Sequence, residues 1–176
     1  MEGVNYGPLN QYTLHSAPNS TCKLSTGGLE VLGSVMGKLC ASSDTSDAGC
    51  AFQDGNSTSF GQGFNGIGGG VFAHLWNSDG VKMWRFQRDQ IPADITAKKP
   101  DPSGWPAPVG YWSSDSCDMG SNFYDHTLVF DTTICGGWAG STYPRSGCPG
   151  TCSQMIANAT NFVTAKWKIN YLAVYQ

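Results

Sequence analysis

Short runs of β-branched and aromatic residues recur along the chain, each bounded by Gly, Pro, Asn, Asp or Ser, and this pattern predicts β-strands. The sequence Asn-Ser-Asp-Gly at 77–80 separates two of the runs, and its Asp-Gly pair is typical of a hairpin turn. In the second run Lys82 and Arg85 interrupt strict alternation, which predicts either a bulge or a strand buried on both faces. The predicted strands are 11–16, 70–76, 81–88, 126–131 and 167–174.

Long segments rich in Gly, Ser, Pro and Asp connect these strands, notably 41–69 and 97–110. Loops of this length in a compact domain are usually functional or cross-linked. One helix is predicted, at 153–161. Many short strands with turn-rich connections predict an all-β sandwich or barrel. Because there is neither a linker nor an internal repeat, residues 1–176 are expected to form a single domain.

The composition agrees with a β-rich chain and excludes several partners. Charged residues make up only 13% of the 176 residues and glycines number 23, which fits turns and short strands better than long surface helices. The net charge of -3 and the lack of a Lys/Arg run argue against binding to nucleic acid or to an anionic membrane. No stretch approaches the roughly 18 apolar residues that a membrane-spanning helix needs.

Seven cysteines predict disulfides and therefore an oxidising, extracellular setting. Their pairing is left open by the sequence, although Cys148 and Cys152 are close enough to bridge one local loop. The odd number suggests that one partner lies outside the chain. Three Asn-x-Ser/Thr sequons, at Asn19, Asn56 and Asn158, are candidate glycosylation sites of a secreted protein.

The first eight residues contain neither the basic start nor the apolar run of a signal peptide. The cysteines and sequons are thus typical of a secreted protein, although these first residues do not form a signal peptide. We therefore expect a longer precursor that was cut, a gene start placed late at an internal Met, or an engineered segment.

Several familiar catalytic signatures are absent from the sequence. His74 and His126 lack the neighbouring ligands of a closed metal site, so neither a metal nor another cofactor is expected. The Gly-rich run at 66–70 lacks the Lys-Ser/Thr pair of a phosphate loop. No serine lies in a Gly-x-Ser-x-Gly elbow. Nucleotide-dependent enzymes and serine hydrolases of that type are therefore excluded.

The first residues, Met-Glu-Gly-Val-Asn, and the segment Asn-Gln-Tyr-Thr-Leu-His at 10–15 carry a family resemblance. They resemble the region of fungal laminarinase-like enzymes of glycoside hydrolase family 16 that begins inside the pattern Glu-x-Asp-x-x-Glu. Further matches follow in the order that the family has them, so the resemblance covers practically the whole chain. These matches lie at 64–73, 81–88, 116–118, 126–140, 146–152 and 167–175.

The resemblance implies a fold and an activity. The fold is a β-jelly-roll sandwich of the concanavalin A-like type with a concave groove for β-glucan, here N-terminally incomplete. The activity is that of a retaining endo-β-1,3(4)-glucanase acting on β-glucan such as laminarin. The alternative is a non-catalytic β-glucan-binding or lectin-like protein that keeps only the aromatic face of the groove.

By the same resemblance Glu2 takes the position of the general acid/base, and the nucleophile position lies upstream of Met1. A retaining glycosidase needs both carboxyl groups, about 5 to 5.5 Å apart, because one attacks the sugar while the other protonates the leaving group. We therefore expect residues 1–176 alone to be inactive or impaired, unless another carboxylate such as Asp54 or Asp79 has replaced the nucleophile.

Two further residues take site positions through the resemblance. His15 is expected to support catalysis by hydrogen-bonding a catalytic carboxylate. Trp138 is expected to form an aromatic platform for a glucose ring, because the C–H groups of a pyranose face pack well on an indole ring. Gly137 stands where the family commonly has Asp, so one contact to sugar hydroxyls is expected to be missing.

The partners expected from these observations are β-glucan and a second copy of the chain. A sandwich without its first strands has unpaired sheet edges and uncovered apolar faces, which favour association between chains. Self-association of the isolated chain is therefore predicted, and no interaction with nucleic acid or a membrane is expected.

Overall fold

The computed structural model describes residues 7–25, 27–43, 46–132 and 134–176. These residues fall into two compact units, the first within Gly7–His126 and the second within Thr127–Gln176. None of the helices that the structure describes is both long and apolar enough to cross a membrane. The single domain expected from the sequence stays a prediction.

The first unit contains two antiparallel sheets of three strands each. Its strands are β1 Gln11–Leu14, β2 Ser34–Gly37, β3 Cys50–Gln53, β4 Gly70–Asn77, β5 Gly80–Gln87 and β6 Gly110–Ser113. In the first sheet β3 lies between β1 and β2, and in the second β5 lies between β4 and β6. The predictions of strands at 11–16, 70–76 and 81–88 are thereby confirmed.

The two sheets pack face to face because each presents an apolar face. Tyr12 of β1 and Phe52 of β3 lie opposite each other and are almost fully buried. Tyr12 contacts Phe72 of β4 with ring centroids 6.2 Å apart, and Phe52 packs edge-on against Trp112 of β6 at 5.0 Å. Removing one large apolar side chain from water contributes on the order of 1.5–3 kcal/mol. This aromatic layer therefore holds the two sheets together.

Strand β5 is buried on both faces, which explains why its sequence does not alternate. Val81 belongs to the core between the sheets, whereas Trp84 and Phe86 form a second core with Ile95 on the opposite face. The β4–β5 ladder pairs every residue in register down to Asn77 and Gly80 at the turn. Of the two alternatives left by the sequence, the two-sided strand is confirmed, and so is the hairpin.

The second core lies under the long segment that follows β5. Trp105 packs edge-on against Trp84 and Phe86, with ring centroids 5.1 and 5.3 Å away. The indole of Trp105 donates to Asp94 and that of Trp84 to the carbonyl of Pro106, both at 2.8 Å. The loop predicted at 97–110 is therefore used to cover the sheet. The helices of this unit are α1 Gly61–Gly66, α2 Ala93–Thr96 and α3 Met119–Asn122, with 3₁₀ turns at Arg88–Gln90, Pro102–Gly104 and Ser114–Ser116.

Two disulfides cross-link the first unit. Cys22 pairs with Cys117 across 95 residues, and Cys40 pairs with Cys50 across 10 residues. All four cysteines are buried. Closing a long loop restricts the unfolded chain more than closing a short one, so the Cys22–Cys117 bridge is expected to stabilise the fold more.

The second unit contains short helices, and the segments predicted as strands at 126–131 and 167–174 are irregular. Its helices are α4 Gly136–Thr142 and α5 Cys152–Ile156, with 3₁₀ turns at Tyr143–Arg145 and Ala159–Phe162. No strand is formed by residues 127–132 and 134–176, so those two strand predictions are wrong. A strand needs a neighbour for its backbone groups, and the described residues of this unit supply none. The predicted helix at 153–161 corresponds to α5 and the turn after it.

The disulfide of the second unit corrects a second expectation. Cys135 pairs with Cys152, whereas Cys148 has no disulfide partner among the residues described. The prediction of a local bridge between Cys148 and Cys152 is therefore wrong. Cys135 directly precedes α4 and Cys152 begins α5, and their Cα atoms lie 6.1 Å apart, within the range that a disulfide spans.

The second unit exposes many large apolar side chains. Val129, Val163 and Val174 are 69%, 74% and 78% exposed, and Trp167 and Tyr171 are about half exposed. Exposed apolar surface of this extent favours association. Self-association stays a prediction: light scattering after size exclusion is expected to show a mass that rises with protein concentration. A monomer mass at every concentration would contradict it.

Candidate active site

His15 follows β1 and belongs to the polar face of the first sheet. Side chains alternate along a strand, so Gln11, Thr13 and His15 lie on the face opposite to the buried Tyr12. Gln11 donates from Nε2 to Oγ1 of Thr13 at 3.2 Å, and Gln53 of β3 lies opposite Gln11. This face thus carries amide, hydroxyl and imidazole groups that can hydrogen-bond a polar ligand.

The carboxylate of Asp47 contacts the imidazole ring of His15. Oδ1 of Asp47 lies 3.2 Å from Nδ1 of His15 and also accepts a hydrogen bond of 2.5 Å from the Ser42 hydroxyl. The Ser42 hydroxyl and then the charge of His15 hold the pKa of Asp47 below its usual value. When Nδ1 donates to Asp47, Nε2 is left to face a ligand or a second carboxylate.

Gly49 keeps space open beside His15. Its backbone has φ +67, and a Cβ atom there would lie 2.8 Å from Cε1 of His15 and 2.5 Å from Cγ2 of Thr13. Both distances are shorter than any ordinary carbon contact, and positive φ is strained for residues with a Cβ. Glycine is therefore required at position 49 for the His15 ring to keep this position.

A buried ion pair links the two sheets next to the start of β1. Arg85 donates from Nε to Oδ2 of Asp54 at 2.6 Å, and the two side chains are only 6% and 7% exposed. Asp54 follows β3 directly, and its backbone N–H donates to the carbonyl of Asn10, just ahead of β1, at 2.9 Å. A buried charge is tolerated when it is paired, so this contact fixes the polar end of the core.

Polar side chains surround the ion pair. The side chain of Asn10 and the hydroxyl of Tyr12 are buried next to each other, and Nη1 of Arg85 is buried with no hydrogen-bond partner among the residues that the structure describes. Burial raises the pKa of the Tyr12 phenol far above its usual value, so the phenol stays neutral. The charge balance at this point therefore rests on Asp54 and Arg85.

The family model described as the XgeA-like, catalytic GH16 domain matches residues 1–175. The chain belongs to glycoside hydrolase family 16. A probable glycosidase of Schizosaccharomyces pombe is 39% identical over 180 residues, which cover 100% of this chain and 42% of that protein. An endo-1,3(4)-beta-glucanase of Arthroderma benhamiae is 35% identical over 185 residues, again covering the whole chain and 40% of that protein. The chain thus spans about two fifths of the length of these relatives.

Solved family 16 structures share the fold. An elongating beta-1,3-glucosyltransferase is 37% identical with a TM-score of 0.74, and the match covers 92% of this chain and 52% of that one. Laminarinase 16A of Phanerochaete chrysosporium is 28% identical with a TM-score of 0.79, and the match covers 93% of this chain and 56% of that one. The expected jelly-roll fold is confirmed by these matches and by the antiparallel sheets of the first unit.

The structure describes two of the three family 16 site residues predicted from the sequence. Glu2 lies outside the described residues. His15 is partly exposed and held by Asp47. Trp138 is 49% exposed and lies on the short helix α4, where its carbonyl accepts from the hydroxyls of Ser141 and Thr142. The roles of these residues stay predictions, as does the loss of a contact at Gly137.

The sequence did not point to Asp47, and Asp54 was one of two carboxylates named as alternatives for the nucleophile. Asp47 lies in a Ser- and Asp-rich loop far from His15 in the sequence, and no spacing rule connects them. Asp54 is buried in an ion pair with Arg85 and therefore cannot contact a sugar. Asp79 is an exposed residue of the β4–β5 turn. Among the described residues no three His, Cys, Asp or Glu side chains are grouped to hold a metal ion.

Asp47 offers a direct test of the contact that holds His15. We expect Ser42→Ala and His15→Gln each to raise the pKa of Asp47 towards its usual value, because the Ser42 hydrogen bond is the first cause of the lowering and the charge of His15 is the second. Carboxyl carbon shifts followed by NMR during an acid titration measure both changes. The stabilisation of the folded protein by these contacts of Asp47 is expected to be fully present above the ordinary pKa of Asp. It is expected to be lost as the pH falls through the lowered pKa of Asp47. An unchanged pKa of Asp47 in either variant would contradict the assignment.

Proposed function

We propose that the protein containing this chain is a retaining endo-1,3(4)-β-glucanase. The observation that carries the proposal is the match of residues 1–175 to the catalytic-domain model of the family. The identity of 35% with the Arthroderma endo-1,3(4)-beta-glucanase supports the same reaction class. A solved laminarinase with 6-O-glucosyl-laminaritriose in its donor and acceptor sites supports a β-glucan as the substrate.

In this proposal two carboxyl groups have different roles in the reaction. A carboxylate at the first Glu of the family motif attacks C1 of the sugar, while Glu2 gives its proton to the glycosidic oxygen as the C1–O bond breaks. Glu2 then takes a proton from the water that releases the sugar. His15, oriented by Asp47, hydrogen-bonds a carboxylate of this pair, and Trp138 supports a glucose ring by packing against its C–H face.

Replacing the proposed proton donor tests the mechanism. In a longer polypeptide that includes the nucleophile, we expect Glu2→Gln to reduce kcat on laminarin by about 10²- to 10⁴-fold, because an amide cannot protonate the leaving group. Release of reducing ends measures the rate. Glu30 is exposed and is the only other glutamate of the chain, so Glu30→Gln is the matched control and should leave the rate unchanged. Equal rates for Glu2→Gln and the unchanged protein would remove Glu2 from the mechanism.

A comparison of two polypeptides of different length distinguishes an enzyme from a binding protein. Residues 1–176 are assayed alone and together with whatever open reading frame continues upstream of Met1. Hydrolysis by the longer form alone supports the enzyme with its nucleophile ahead of Glu2. Laminarin binding measured by calorimetry, with no reducing ends from either form, would replace the enzyme by the non-catalytic glucan-binding protein.

Glucosyl transfer is a second candidate, favoured by the 37% identity with an elongating beta-1,3-glucosyltransferase. Hydrolysis and transfer share the glycosyl-enzyme and differ in whether water or a sugar hydroxyl attacks it. Mass spectrometry of products from laminaripentaose separates them, because transfer produces oligosaccharides longer than the substrate. Products that are all shorter than the substrate would leave hydrolysis as the function.

We infer that the protein acts outside the cell. Three disulfides among seven cysteines support an oxidising compartment, and a polymeric glucan is met at or beyond the cell surface. Immunodetection in the culture medium and in cell extracts of the source organism tests this inference. Protein confined to the reducing cytosolic fraction would contradict it.

A further inference from the structure

We infer that Asn56 carries an N-linked oligosaccharide whose first sugar covers an apolar cleft beside the second sheet. Asn56 is the first residue of the sequon Asn-Ser-Thr at 56–58, and its side chain is exposed. The inference rests on the extracellular location proposed above. It adds a modification site and an intramolecular ligand to a surface that takes no part in the proposed catalysis.

The sequon lies on a loop that hydrogen bonds hold in place. The backbone N–H of Asn56 donates to Oδ1 of the buried Asp54 at 3.0 Å, and the N–H of Ser59 donates to the Asn56 carbonyl at 2.9 Å. Ser59 is itself fully buried and accepts from the backbone N–H of Asn10 at 2.9 Å. The loop is thereby fixed at both ends to the core of the first unit.

The side chain of Asn56 is oriented with its amide nitrogen available. Its Oδ1 accepts from both the N–H and the hydroxyl of Thr58, at 2.9 and 2.7 Å. Thr58 also accepts from Nε2 of Gln87 on β5 at 3.2 Å. Because the oxygen is used within the turn, a sugar on Nδ2 would break none of these bonds. Asn158 makes the same turn with Thr160, at 3.1 and 2.8 Å.

Asn56 itself lines a cleft beside the second sheet. The cleft has a volume of about 420 Å³. Its apolar walls include Leu32, Pro92, Pro106 and Val109, and the amides of Gln87 and Gln90 line it as well. Apolar walls can pack against the C–H groups of a sugar while amides bond its hydroxyls. A sugar attached at the rim is always present at high local concentration, so even a weak contact would be occupied.

The chemistry is a transfer without oxidation or reduction. The amide nitrogen of Asn56 forms a bond to C1 of a sugar on a lipid-pyrophosphate-linked oligosaccharide, the usual donor class of the secretory route. The bond between C1 and the pyrophosphate oxygen breaks, and the pyrophosphate keeps the electron pair. The amide proton passes to a base of the transferase. Thr58 supplies the hydroxyl that the sequon requires.

The test uses the full chain secreted from yeast and trimmed with endoglycosidase H, which leaves one N-acetylglucosamine at each occupied site. Peptide mapping is expected to find that sugar on the peptide with Asn56, to lose it in Thr58→Ala, and to keep it in Thr58→Ser and in Ser57→Ala. An unmodified Asn56 peptide in the unchanged protein would overturn the site. This readout is independent of glucanase activity, so its failure and a failure of the proposed reaction are distinguishable.

A second comparison tests whether the sugar lies in the cleft. Asn56→Gln and the unchanged protein are made both in yeast and in the bacterial periplasm, where no oligosaccharide is attached. The loss of the Asn56 turn lowers Tm equally in both hosts, whereas loss of a packed sugar adds a further decrease only in the yeast pair. We expect that larger decrease. Equal decreases in both hosts would show that the sugar is attached but does not stabilise the cleft.

Discussion

Asp54→Ala is expected to lower the free energy of unfolding by about 3–5 kcal/mol, because it leaves the buried guanidinium of Arg85 without its partner. The substitution also removes the acceptor for the Asn56 backbone N–H, which loosens the loop after β3. Nη1 of Arg85 already has no partner among the described residues, so the uncompensated charge has few other contacts to use. Urea denaturation measures the change.

Asp89→Ala is the matched control for this prediction. Asp89 is an exposed carboxylate that follows β5, and its removal is expected to change stability by no more than about 0.5 kcal/mol. The double substitution Asp54→Leu with Arg85→Met removes both charges together and is expected to recover most of the lost stability, since apolar replacements of buried pairs are often neutral. An effect of Asp54→Ala as small as that of Asp89→Ala would contradict a structural role for the pair.

The sequence predicted those parts of the fold that depend on neighbours along the chain. The hairpin of β4 and β5 has a two-residue turn of Ser78 and Asp79, followed by Gly80 as the first paired residue of β5, and its register follows from the turn. The broken alternation of β5 indicated burial on two faces, and the structure supplies the two cores that bury it. The short helix α5 overlaps the helix predicted at 153–161 and begins with a capping box formed by Thr151 and Gln154.

Features that join distant parts of the chain could not be predicted in this way. The local pattern at 167–174 is that of a strand, but a strand also needs a partner, and the pattern does not say where one lies. The ion pair of Asp54 and Arg85 joins residues on different sheets. The orientation of His15 by Asp47 depends on how the loop before β3 folds back. The role of Glu2 came from the family resemblance and lies outside the described residues.

Removing the Cys22–Cys117 disulfide is expected to cost more stability than removing Cys40–Cys50. In the chain-entropy model the benefit grows with the logarithm of the loop length, so loops of 95 and 10 residues differ by about 2 kcal/mol. The total loss for Cys22→Ser with Cys117→Ser is expected to be about 4–5 kcal/mol. That is a large part of the roughly 5–15 kcal/mol that stabilises a typical domain.

The double variant Cys40→Ser with Cys50→Ser is the natural control, because it makes the same chemical change at sites of similar burial. The exposures of Cys22 and Cys117 are 3% and 6%, and those of Cys40 and Cys50 are 1% and 0%. The cost of burying new hydroxyls is therefore similar in both variants, and the difference between them reports loop length. Urea denaturation of both variants measures that difference. A loss that is equal or larger in the Cys40–Cys50 variant would show that local packing around β3, and not the restriction of the unfolded chain, determines what these bridges contribute.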